Sequence, residues 1–384
     1  MTVYLDHAAT TPMLPQAIDA YAASLTIVGN PSSIHSQGQN AKRLLEEARE
    51  QVAASLGAEP IEIIFTSGGT ESINLAIKGL FWARNNGDTP RPRILVPRGE
   101  HHATVDAVEW LAHYEHAVID WIPLDADGRI VVSELAERLG PDVALITLLT
   151  ANNEVGTLQP VAEVVALAAS HNIPVHADAV SAYGHVPIDF RASGLAALSV
   201  SAHKIGGPLG IGALVVARTA TLVPLIHGGG QQRQLRSGTQ DAPAAIAFGV
   251  AARHPTPPLV ELRDRVIAGV HQAVPAAVLR GDAVDRLDNN AHFTFPGCQG
   301  DSLLFLLDSA GISVSTGSAC QAGVSEPSHV LLAMGLSEED ARGALRITVG
   351  HTTTEVEVDA FLAALPVAVA RAQRAGFADR QVGS

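Results

Sequence analysis

The chain has 384 residues, of which 47% are hydrophobic and 17% charged. That balance excludes an intrinsically disordered protein and leaves room for one large domain or two unequal ones. With 25 basic and 39 acidic residues the net charge is −14, so a polyanion is repelled over most of the surface and nucleic acid is not expected as a direct partner. Two cysteines, Cys298 and Cys320, cannot build a disulfide framework in a chain of this length, which points to a reducing compartment.

Residues 1–12 show no basic stretch leading into an apolar one, and no segment approaches the roughly 18 uninterrupted apolar residues of a membrane span. A cytoplasmic protein with no membrane partner is expected. Short β-branched apolar runs predict strands at 61–66, 93–96, 118–122, 143–148, 175–178, 197–201 and 212–216. Helical patterns fall between them at 40–55, 71–85, 103–116, 133–139 (with Ser133 as N-cap) and 161–170. This alternation predicts βαβ units around a mostly parallel sheet, an α/β fold. The helix-breaking run His254-Pro255-Thr256-Pro257-Pro258 marks a boundary. Beyond it come short strands at 292–295 and 345–349 and a last helix at 354–374 with a polar tail. The expected division is a large domain over 15–252, a smaller α+β domain from 1–14 and 253–376, and a tail at 377–384.

Several segments place chemistry-bearing residues at strand ends. Thr66-Ser67-Gly68-Gly69-Thr70-Glu71-Ser72 joins a strand to a helix, and its free N–H groups and positive helix end suit a phosphate. It lacks a P-loop lysine, and a simple capped turn is the competing reading. Glu100-His101-His102 follows a strand, where an imidazole can stack on a flat ring or carry a proton. Adjacent histidines do not share a helix face and no cysteine is near, which argues against metal. Asp178 ends a buried-looking strand, at the edge where α/β sheets form their ligand crevice, and it needs a cationic partner such as a pyridinium nitrogen. A capping role is the alternative.

Ser201, His203 and Lys204 close another strand ahead of a glycine-rich turn. A lysine in that setting is suited to a lowered pKa and a Schiff base with a carbonyl cofactor, against a surface lysine as the competing reading. Cys320 lies among small residues in Ser318-Ala319-Cys320-Gln321-Ala322-Gly323, where a thiol can ionise and meet a substrate; Cys298 has no comparable setting. Arg346 alternates with apolar neighbours on a presumed strand and faces either a pocket with an anion or solvent.

Together with Tyr4 to Thr11, Gly29 to His35, Asn152 to Thr157 and Arg236 to Thr239, these segments resemble, nearly end to end, the NifS/IscS-type cysteine desulfurases of the class-V aminotransferase family. The resemblance implies a fold-type I pyridoxal-phosphate transferase: a mostly parallel seven-stranded sheet with a smaller α+β C-terminal domain. It implies that Lys204 carries pyridoxal 5'-phosphate in a Schiff base, Asp178 pairs with the ring nitrogen and His101 stacks on the ring. Gly69, Thr70, Ser201 and His203 would hold the phosphate, with Thr239 reaching across from the second subunit of a homodimer. Asn153 would touch both cofactor and substrate, Arg346 would take the substrate carboxylate, and Asn30 would sit in the entrance loop. Cys320 would be the nucleophile that removes sulfur from L-cysteine, leaving alanine and a persulfide bound for an iron–sulfur scaffold or a sulfur-carrier protein. It is also a candidate transient iron–sulfur ligand, with no intrinsic metal site. Ser181 departs from the family's usual glutamine beside the cofactor's phenolic oxygen; a bridging water or altered cofactor electronics would follow. A selenocysteine lyase, another class-V aminotransferase, and a non-catalytic assembly subunit are the alternatives.

Overall fold

The computed structural model describes residues 2–317 and 326–382, the stretch 375–382 by its backbone alone. Its strands are β1 (Val3–Tyr4), β2 (Ile63–Thr66), β3 (Arg93–Pro97), β4 (Val118–Ile122), β5 (Val143–Leu149), β6 (Val175–Asp178), β7 (Ala197–Ser201), β8 (Gly212–Val216), β9 (Val278–Arg280), β10 (Asn290–Thr294), β11 (Ile312–Ser313) and β12 (Ala344–Thr348). Seven form one sheet in the order β2-β8-β7-β6-β5-β3-β4. Strands β4, β3, β5, β6 and β7 run parallel, and β8 is antiparallel to both β7 and β2. The α/β expectation and the mostly parallel sheet of seven strands are therefore borne out.

The inner strands are predominantly apolar because both faces of the sheet are covered. Leu95, Ile146, Leu148, Val200 and Val215 pack into a cluster on one face, and Ile94, Leu145, Ala197, Leu214 and Val216 into another on the opposite face. A further cluster joins Val3 and Leu5 to Phe293, Phe295, Leu303, Leu345, Phe361 and Leu365, around the antiparallel sheet β12-β10-β9 and the parallel pair β1-β11. Among the described residues no helix is long and apolar enough to cross a membrane.

Three expectations change. The strand predicted from residue 61 starts at Ile63, because Pro60–Glu62 forms a 3-10 turn with Pro60 in its first positions and Glu59 and Glu62 bonded reciprocally. Ser133 is not an N-cap: the helix is Val132–Glu137, capped at Val131 without a side-chain bond. The last helix, Glu355–Val382, continues past Arg374, where the sequence reading ends it.

His176 on β6 is fully buried and spans its two neighbouring strands, its Nδ1 lying 2.8 Å from Thr147 Oγ1 and its Nε2 2.9 Å from Ser199 Oγ. Burial lowers its pKa to about 3. The unfolded chain binds this proton at higher pH than the native one, so stability falls as pH drops below about 6.5, by ~1.4 kcal/mol per unit for this group, until about pH 3. Thermal melts of wild type and His176→Gln between pH 7 and 4 check this: the stability gap between the two should narrow as pH falls. A constant gap rejects it.

Candidate active site

The carboxyl ends of β2, β3, β5, β6 and β7 open onto a cavity of about 390 Å³, the position where parallel α/β sheets place ligands. Lys204 sits at the end of the 3-10 turn Ala202–Lys204 that follows β7. The next turn needs Gly206 at φ +78°, where a Cβ would come within 2.7 Å of Leu14. The Lys204 amine donates to the carbonyls of Ala8 and Ala9. Burial, helped by the Arg346 charge, lowers its pKa to about 8, so roughly a tenth of it is unprotonated at pH 7, far more than for a free lysine.

Asp178 ends β6 at 2% exposure. Its Oδ1 accepts the Val180 N–H at 2.9 Å, and burial pushes its carboxyl up to about 6. His101 caps the helix His102–Glu115, its Nδ1 accepting the Ala103 N–H at 3.0 Å, which puts the ring proton on Nε2. Burial and the charge of Lys204 lower its pKa to about 4, so it is neutral at pH 7. His203 is lowered to about 4 for the same two reasons, and its Nδ1 lies 3.2 Å from Thr10 Oγ1.

Gly69 and Thr70 begin the 16-residue helix Gly69–Arg84 and line the cavity with Ser201. A Cβ on Gly69 would approach Val180 Cγ2 to 2.7 Å, so glycine keeps that helix N-terminus open to an anion. On the opposite wall, Arg346 of β12 is held by Asp6 Oδ1 at 3.0 Å and the Asn153 carbonyl at 2.8 Å. Asn153 and Ser181 line the cavity as well.

The structure thus brings Gly69, Thr70, His101, Asn153, Asp178, Ser181, Ser201, His203, Lys204 and Arg346 to one cavity. Asn30 and Thr239 are exposed and do not line it in this chain. Cys320 lies outside the described residues, but the chain on either side meets the site. Ser315 and Gly317 line the cavity. Ser328 Oγ donates to Glu154 Oε2 at 2.5 Å, and His329 Nε2 lies 2.9 Å from the Glu100 carbonyl. Asp6 and Glu154 carry no role legible in the sequence: their partners, Arg346 and Ser328, lie 340 and 174 residues away and leave no local signal.

The residues present fit pyridoxal phosphate. A buried carboxylate without an ion-pair partner among the described residues suits a ring N–H⁺, an open helix N-terminus beside Ser201 suits a phosphate, and a buried lysine of depressed pKa suits an aldehyde carbon.

A seven-stranded, mostly parallel sheet with these groups at its carboxyl edge is the fold-type I architecture of pyridoxal-phosphate transferases. Residues 3–361 match the family described as Aminotransferase class-V. An IscS-like cysteine desulfurase of Mycobacterium tuberculosis (strain ATCC 25618 / H37Rv) is 52% identical over 98% of both chains. A solved structure described as a NifS-like protein matches with TM-score 0.88 at 33% identity, covering 96% of this chain and 100% of its own. Another, described as SspA in complex with cysteine, matches with TM-score 0.82 at 34% identity over 92% of this chain and 100% of its own. The chain belongs to the class-V aminotransferase family, among its NifS/IscS-type cysteine desulfurases.

Proposed function

We propose that this protein is a pyridoxal-phosphate-dependent cysteine desulfurase that converts L-cysteine to alanine and leaves the sulfur on Cys320 as a persulfide. The single observation that carries the reading is the convergence of Lys204, Asp178, His101 and Arg346 on one cavity that Ser315 and Gly317, just ahead of the segment bearing Cys320, also line. The solved relative that holds cysteine supports the choice of substrate.

When bound, pyridoxal phosphate supplies an electron-withdrawing ring conjugated to the substrate's amino nitrogen, which acidifies the Cα hydrogen. Gly69, Thr70, Ser201 and His203 would hold the phosphate, and Asp178 would pair with the ring nitrogen. His101, neutral and with its proton on Nε2, would stack on the ring. Lys204 anchors the aldehyde carbon and, once released, takes the Cα proton on Nζ; an amine near pKa 8 is matched to that task. Arg346 and Asn153 orient the substrate carboxylate, and Asn30 contributes from the entrance loop. The Cys320 thiolate forms an S–S bond with the substrate sulfur as the C–S bond breaks. The electron pair stays with the carbon fragment, which is then protonated to alanine.

We also propose a homodimer in which Thr239 of the partner subunit completes the phosphate site, and transfer of the persulfide to an iron–sulfur scaffold or sulfur-carrier protein in the cytoplasm. The division into 15–252 and 1–14 plus 253–376 is supported by one apolar cluster drawn wholly from the second part, while Val155 and Leu124 of the first pack with Val330, Leu331 and Met334 across it.

The test is incubation with L-cysteine and a thiol reductant, measuring alanine and sulfide together. Equal amounts of both are expected without any keto acid. Alanine that forms only when a keto acid is added would make the protein a transaminase.

A further inference from the structure

Cavities that share walls run in series from the site to the surface beside residues 253–258. The 390 Å³ site cavity shares Ala8, Asn153, Ser181 and Lys204 with a much smaller one behind it, which has room for about one water. That cavity shares His7, His185, Lys204 and Asn289 with a third of similar size. The third meets an open cavity of about 410 Å³ at His185, Ile205 and Thr256.

The walls are polar where a water would need them to be. His7 Nδ1 lies 2.7 Å from Thr11 Oγ1 and its Nε2 lies 3.2 Å from Thr353 Oγ1. Asn289 Nδ2 donates to His185 Nε2 at 3.2 Å, and His185 Nδ1 donates to Asp288 Oδ1 at 2.8 Å. That pairing uses the Asn289 amino group and leaves Asn289 Oδ1 buried with no partner among the described residues. Asn289 is 5% exposed. A buried amide oxygen without a donor is a defect that one ordered water removes. Ser181, Lys204 and Asn289 line the same small cavity.

We propose that these cavities hold an ordered water chain through which the Lys204 amine exchanges its hydrogens with solvent, and that Asn289 is the positioning residue that fixes its first water. The inference rests on the reading of Lys204 as the carrier of the Cα proton. Each N–H hydrogen passed to a water is replaced by one from that water, so the exchange moves no net charge and needs no co-reactant. The hydrogen taken from cysteine is therefore diluted into solvent before one is returned to the alanine α-carbon.

The test supplies the holoenzyme with α-deuterated L-cysteine in ordinary water and measures deuterium at the α-carbon of the alanine formed. Wild type should retain little label, and Asn289→Leu and Ser181→Gln, which dry or fill the cavity, should each raise the retained fraction several-fold. A crystal structure of the wild type, with or without cofactor, should show a water on Asn289 Oδ1. Unchanged retention in both variants, or an empty cavity, overturns the water chain. Should wild type form no alanine from cysteine, the reading it rests on has failed, and the two failures are told apart by whether alanine appears at all.

Discussion

Lys204→Ala should lower alanine formation from L-cysteine by at least about a thousandfold. General-base transfer by a positioned group contributes about 10²–10⁴, and in this chain the same side chain is proposed to anchor the cofactor as well. Among the residues lining the cavity, His101 and His203 are both lowered to about 4 and are weak bases. Asp178, though raised to about 6, is engaged by the Val180 N–H and committed to the ring nitrogen. Nothing nearby takes over. The variant should still fold, since among the described residues the amine makes hydrogen bonds only to the Ala8 and Ala9 carbonyls. Borohydride should no longer fix the cofactor to the protein, which mass spectrometry of the intact chain reads directly. Turnover within tenfold of wild type would remove Lys204 from the mechanism.

Cys320→Ala should keep the visible chromophore and its spectral response to cysteine, while sulfide release falls to the background of the assay. The other thiol offers no substitute: Cys298 is 3% exposed, its Sγ lies 3.8 Å from the Val369 carbonyl, and burial raises its pKa to about 11. A thiol that stays protonated and enclosed is a poor nucleophile. Alkylation and mass spectrometry after incubation with cysteine should find the additional sulfur at Cys320 in wild type and none on Cys298, the one thiol left in the variant. Unchanged sulfide release would reject Cys320 as the acceptor.

The central sheet was legible because strands covered on both faces are mostly apolar, and the few polar residues inside them, Thr147, His176 and Ser199, satisfy one another. β5, Val-Ala-Leu-Ile-Thr-Leu-Leu, and β7, Ala-Leu-Ser-Val-Ser, announce themselves without their partners. Asp178, Lys204 and the Gly69 turn were legible for a related reason, since polar residues at the ends of such strands have few places to go except the crevice. The two-residue strands β1 and β11 were not legible. Val3 pairs with Ile312 and Tyr4 with Ser313, and a pairing across more than 300 residues leaves no periodicity in either segment. Ser133 misled because a serine ahead of a helical pattern is a strong cap signal, whereas here it falls inside the first turn. Asp6 and Glu154 show the same limit in the site, each defined by a partner brought close only by the complete fold.

The Arg346 guanidinium has a bearing on which thiols the protein accepts. Asp6 and the Asn153 carbonyl already occupy two of its nitrogens, while its Nε is buried with no partner among the described residues. If Arg346 takes the substrate carboxylate, as proposed, the incoming anion meets a guanidinium already aimed and partly neutralised by Asp6. Its gain is then smaller than on a bare cation, and Asp6→Asn should tighten the binding of carboxylate-bearing thiols while leaving that of a decarboxylated thiol such as cysteamine unchanged.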